Sequence, residues 1–263
     1  MDAQEKFDKQ ILKNNSLLCV GLDPDLNSIP AKFTNSKNAI FNFNKYLIDQ
    51  TSELVACYKP NIAFYEAYGI DGLNQLKLTI NYLQKKYPDI PIILDAKRAD
   101  IANTARMYAK SMYEYWNVDA VTVYPHLGLD SLEPFFDYKN KLTILLIKTS
   151  NPDSGMFQDL ETESGPYYLK LAQTISAWKI PNYGIFVGAT FPTQMQAVRK
   201  IFPDRFFLSA GLGKQGAETE AIVKAGINTK SAGIAFNSSR SIIYSENPRK
   251  SAQDLKDEIN KYR

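Results

Sequence analysis

The stretch Ile90-Pro91-Ile92-Ile93-Leu94-Asp95-Ala96-Lys97-Arg98-Ala99-Asp100-Ile101-Ala102-Asn103-Thr104 changes its period half-way along. Its opening is a short β-rich apolar run, which predicts a strand over Ile90 to Asp95. From Ile101 the apolar residues recur at helical spacing as far as Tyr115, which predicts a helix. A strand that passes through a charged turn into a helix is one βα unit.

Working outward, the same alternation recurs along the whole chain. Further strands are predicted over Leu17 to Leu22, Leu54 to Lys59, Ala120 to Tyr124, Leu142 to Ile147, Tyr183 to Val187, Arg205 to Ser209 and Ser231 to Phe236. Helical periods fall at Asp71 to Lys86, Gly165 to Trp178, Thr193 to Ile201 and Glu218 to Ala225, with a last one near Ser251 to Tyr262. Eight βα units in 263 residues match the usual length of a (β/α)8 TIM barrel. A doubly wound sheet would carry a Gly-rich fingerprint after its first strand, and Gly21-Leu22-Asp23-Pro24-Asp25 is not one. Pro and Gly stand singly at turn positions, so one α/β domain over residues 1–263 is expected. The longer, more polar stretch Thr149 to Gly165 suits a loop at the top of such a barrel.

Composition narrows the function classes. With 31 basic and 28 acidic side chains spread along the sequence, there is no basic block for nucleic acid or a membrane surface, while a small anionic ligand stays compatible. The N-terminus has mixed charges and no apolar h-region, and no apolar run reaches the length of a membrane span, so a soluble cytoplasmic protein is expected. Cys19 and Cys57 lie in apolar strand runs and read as small buried thiols. A zinc or iron centre usually recruits several histidines or cysteines and the chain has one histidine, His126, whereas magnesium with carboxylates and water stays open.

Chemistry in a barrel projects from the C-terminal strand ends. Here those ends carry Asp23, Lys59 and Asn61, Asp95 and Lys97, Thr149 and Ser150, and the runs Gly211 to Gly216 and Asn237 to Arg240. Strand alternation puts Asp95 and Lys97 on one face, while Asp100 and Thr104, four apart at a helix start, share another. With Lys59 arriving from the neighbouring strand, acids and lysines alternate, so every charge has an opposite neighbour that favours its charged form. A charged run at a helix start is ordinarily a solvated ion-pair network. Placement at a strand end is what favours a catalytic reading.

The spacing Asp95-x-Lys97-x-x-Asp100-Ile101-x-x-Thr104 resembles the signature of the orotidine 5'-monophosphate decarboxylase family. Six more segments match in order: Gly21-Leu22-Asp23-Pro24, Lys59-Pro60-Asn61-Ile62-Ala63-Phe64-Tyr65-Glu66, Lys148-Thr149-Ser150-Asn151-Pro152, Val187-Gly188-Ala189-Thr190, Gly211-x-Gly213-x-Gln215-Gly216 and Asn237-Ser238-Ser239-Arg240. The resemblance implies a cofactor-free conversion of orotidine 5'-monophosphate to uridine 5'-monophosphate, with no metal. It assigns Lys59, Asp95, Lys97 and Asp100 to the catalytic charge array, Lys97 as proton donor to C6 and Asp95 facing the scissile carboxylate. It also implies a homodimer, with Asp100 and Thr104 reaching into the partner's site. Gln215 and Arg240 are assigned to the phosphate, Asp23 and Asn61 to the ribose, and Ser150, with Thr149 as its alternative, to the pyrimidine amide edge. Two rivals remain at this point. A magnesium-dependent sugar-phosphate decarboxylase or hexulose-phosphate synthase uses a similar acid-lysine-acid frame, but typically has an acid where this chain has Lys59. A non-catalytic nucleotide-binding barrel would not need the intact charge array.

Overall fold

The computed structural model describes residues 1–163, 165–212 and 216–263. Its barrel strands are β1 (Leu18–Leu22), β2 (Cys57–Pro60), β3 (Ile93–Arg98), β4 (Ala120–Val123), β5 (Leu142–Lys148), β6 (Tyr183–Val187), β7 (Phe207–Ala210) and β8 (Ile234–Ser238). They pair in parallel in the order β2-β1-β8-β7-β6-β5-β4-β3. Parallel bridges Tyr58↔Ile92 and Asn61↔Asp95 then join β2 to β3, so the sheet closes on itself as a barrel. Every residue of β1, β2, β4, β5, β6 and β8 is buried. Strands covered on both faces read as unbroken apolar runs, which is why all eight were legible.

Helices Ala39–Thr51, Gly69–Lys86, Ala102–Lys110, Tyr167–Ser176, Pro192–Ile201, Ala217–Gly226 and Pro248–Asn260 surround the barrel. The helix Ala3–Asn14, outside the sequence expectation, packs at the N-terminal end. Asp2 caps it through the Glu5 N–H, Phe7 stacks on Phe206 at 4.2 Å between ring centroids, and Lys6 pairs with Asp119 at 2.9 Å. No helix among the described residues is long and apolar enough to cross a membrane.

β3 differs from its expected span of Ile90 to Asp95. It begins three residues later and runs on to Arg98. Pro91 has no N–H to donate, and its carbonyl accepts from Tyr58 before the ladder starts. At the other end the register jumps from Leu94↔Val121 to Arg98↔Val123, so Asp95, Ala96 and Lys97 all stand opposite Thr122. This bulge at the mouth of the barrel re-aims the charged side chains, and Lys97 takes a left-handed φ of 45°. Side chains other than glycine rarely adopt that conformation, and those that do cluster at functional sites.

Candidate active site

The C-terminal ends of β1, β2 and β3 hold a chain of alternating charges. Lys59 Nζ donates to Asp95 Oδ2 at 3.2 Å and lies 3.9 Å from Asp23 Oδ1. On the far side of Asp95, Lys97 Nζ donates to Oδ1 at 2.7 Å. The Lys59 side chain is 4% exposed and that of Asp95 10%, whereas the Lys97 side chain is 39% exposed and faces the open mouth. Burial alone would push the Lys59 pKa down, but the Asp23 and Asp95 carboxylates outweigh it and hold the ammonium above its ordinary range. Burial likewise opposes ionisation of Asp95. The Lys59 and Lys97 charges, with hydrogen bonds from Lys97 and Thr122, keep its carboxyl well below the usual range.

Asn61 and Asp23 complete this end of the site. Asn61 donates its backbone N–H to Asp23 Oδ1 at 3.0 Å and its side-chain Nδ2 to Asp95 Oδ2 at 3.3 Å. Ser239, just past β8, donates to Asp23 Oδ2 at 2.7 Å. That approach depends on Gly21, because a Cβ there would lie 1.8 Å from Ser239 Oγ. Beside it opens a cavity of about 450 Å³ lined by Asp23, Phe64, Leu212, Asn237, Ser239 and Arg240, among others. Arg240 is exposed on its rim and makes no ion pair among the described residues. Gln215 lies outside the described residues.

The stretch after β5 folds over the same end. Lys148 is fully buried and donates to Asp159 Oδ1 at 2.6 Å, while Gln158 accepts from the Thr149 N–H at 2.9 Å and donates to its hydroxyl at 2.8 Å. Ser150 is thereby set against Gly188, where a Cβ would come within 2.7 Å of the Ser150 Cα. His126 stacks between the rings of Tyr124 and Tyr167, with Nδ1 3.1 Å from the Tyr167 hydroxyl.

Lys59, Asn61, Asp95, Lys97 and Asp23 are therefore brought together within one chain. Asp100 and Thr104 are not. Among the described residues the Asp100 side chain accepts only from the Ile101 N–H, at 2.8 Å, and Thr104 is exposed on the outer helix. Sequence reading also missed Thr122 of β4, whose hydroxyl donates to Asp95 Oδ1 at 2.8 Å.

Residues 16–255 match the orotidine 5'-phosphate decarboxylase / HUMPS family. The chain belongs to that family. An orotidine 5'-phosphate decarboxylase of Christiangramia forsetii is 48% identical, over 93% of this chain and 89% of its own length. One from Flavobacterium johnsoniae is 46% identical, over 97% and 93%. Among solved structures, the Leishmania donovani OMP decarboxylase superposes with a TM-score of 0.88 at 36% identity, covering 100% of this chain and 99% of that one. Family membership accounts for the closed parallel barrel and for charged groups gathered at its C-terminal mouth.

Proposed function

We propose that this chain, a single barrel domain acting in the cytoplasm, converts orotidine 5'-monophosphate to uridine 5'-monophosphate and carbon dioxide, the last step of de novo UMP synthesis. The observation that carries the reading is the buried Lys59–Asp95–Lys97 chain, which ends in an ammonium at the open mouth. Breaking the C6–carboxylate bond leaves the electron pair on C6. With no cofactor to delocalise it, the pair needs a fixed positive charge in a water-poor site, where Coulomb interactions are strong and nothing must reorganise. Lys97 supplies that charge and then a proton to C6. Asp95, facing the departing carboxylate, repels the substrate more than the charge-shifted transition state.

Arg240 takes the phosphate at the rim of the 450 Å³ cavity, the loop position where barrels commonly bind phosphate; Gln215, outside the described residues, is assigned to the same phosphate. Asp23 and Asn61 meet the ribose hydroxyls and Ser150 the pyrimidine edge. Asp100 and Thr104 serve the partner's site in a homodimer. A magnesium-dependent sugar-phosphate enzyme is disfavoured because Lys59 already bridges Asp23 and Asp95, leaving no place between them for a divalent cation.

Loss of orotidylate absorbance on adding the purified protein, at a rate unchanged by excess chelator, is the expected result. Folded protein that leaves orotidylate intact would overturn the reading. Arg240→Ala is expected to raise KM about 10- to 100-fold, the range for losing hydrogen bonds to a charged group, with a smaller change in kcat. Unaltered KM would mean that the phosphate sits elsewhere.

A further inference from the structure

We propose that the Thr122 hydroxyl is a positioning group that fixes the Lys97 ammonium against Asp95 for proton delivery. The proposal rests on the reading of the site given above and concerns a residue outside the charge array. Thr122 Oγ1 accepts from the Ala96 N–H at 3.1 Å and from the Lys97 N–H at 3.0 Å, and donates to Asp95 Oδ1 at 2.8 Å. A hydroxyl has one proton and two lone pairs, so these three bonds use its whole capacity. With both lone pairs facing amides, its proton has only the carboxylate to point at.

The position is also one where the sheet ladder is interrupted. Between Leu94↔Val121 and Arg98↔Val123 the ladder skips, and the amides of Ala96 and Lys97 bond to the Thr122 side chain rather than to a β4 carbonyl. The same bulge carries the left-handed Lys97. Asp95 Oδ1 receives both the Thr122 hydroxyl and the Lys97 ammonium, so one oxygen ties the backbone of Lys97 to the tip of its own side chain. Thr122 is 1% exposed, which keeps water from competing, and its branched Cβ restricts χ1. A side chain so confined acts on Lys97 without touching the substrate.

Thr122→Val keeps the shape and removes the hydroxyl. Its expected kcat is about 10²-fold lower, the loss typical of a catalytic group displaced by an ångström. Uridylate affinity is expected to stay within about threefold, because product binding needs no proton delivery. Thr122→Ser should recover most of the rate, and Thr122→Ala should not. That second pair differs only in the hydroxyl and serves equally if the valine variant fails to fold. Near-normal kcat in the valine or alanine variant, or equal rates for serine and alanine, would overturn the proposal. So would parallel loss of kcat and uridylate binding, which would mark a structural role alone. Wild-type protein without turnover would overturn both this inference and the functional reading, whereas an active wild type with an active Thr122→Val removes this inference only.

Discussion

Lys97→Ala is expected to lower kcat for orotidylate by at least about 10⁴-fold, or roughly 5.5 kcal/mol of barrier, while uridylate binds within a few-fold of normal. Two contributions disappear together. A positioned proton donor is worth about 10²–10⁴ in rate and a preorganised charge at a developing anion about 10²–10³. Both act where the transition state differs from the ground state, so the loss falls on kcat rather than on product affinity. The fold should survive. Lys97 is the exposed end of the charge chain, and Asp95 keeps Lys59 at 3.2 Å, Thr122 at 2.8 Å and Asn61 at 3.3 Å after its removal. Lys59 differs in that respect, because it is buried between two carboxylates and its loss would take from Asp23 its one ammonium partner among the described residues and from Asp95 one of two. Turnover by absorbance, uridylate binding by calorimetry and a melting curve together make the check. Near-normal decarboxylation by Lys97→Ala would remove the proton donor from the proposed mechanism.

The barrel was legible because its signal is local: each buried parallel strand is an apolar run in its own right. Strand ends were less so. β2 and β8 begin three residues after their apolar runs, at Cys57 rather than Leu54 and at Ile234 rather than Ser231. Where the strand ladder starts depends on neighbouring strands, which local composition does not report. Helix Ala3–Asn14 had a readable signal that went unused, with Asp2 as cap and Ala3, Phe7 and Ile11 four apart on the buried face. Thr122 had none, since a β-branched residue inside Ala120-Val121-Thr122-Val123 is what any strand prefers. Its three bonds exist only because β3 bulges opposite it. Lys148 is a similar case: a lysine ending an apolar run gives no sign that it is fully buried and held by Asp159 from the following loop.

Asp100→Ala is expected to lower kcat about 10²–10³-fold on its own, the scale of one charged group in a preorganised site. Its decisive use is in mixed dimers. Within one chain Asp100 bonds, among the described residues, only to the Ile101 N–H, and Thr104 is exposed four residues on. The same helix exposes Met107 to 64% and the preceding Ile101 to 56%, apolar surface of a kind that a second subunit would cover. In a two-fold dimer of the proposed kind, each site takes Lys97 from one subunit and Asp100 from the other. Two poorly active homodimers, Lys97→Ala and Asp100→Ala, are then complementary. Every hybrid has one site lacking both groups and one site lacking neither. Random exchange makes half of the dimers hybrids, so about a quarter of the wild-type activity should appear on mixing the variants under conditions that let subunits exchange. If Asp100 served its own subunit's site, each hybrid would hold one site of each defective kind. Mixing would then restore nothing, even with hybrids shown to form, and the shared site would have to be abandoned.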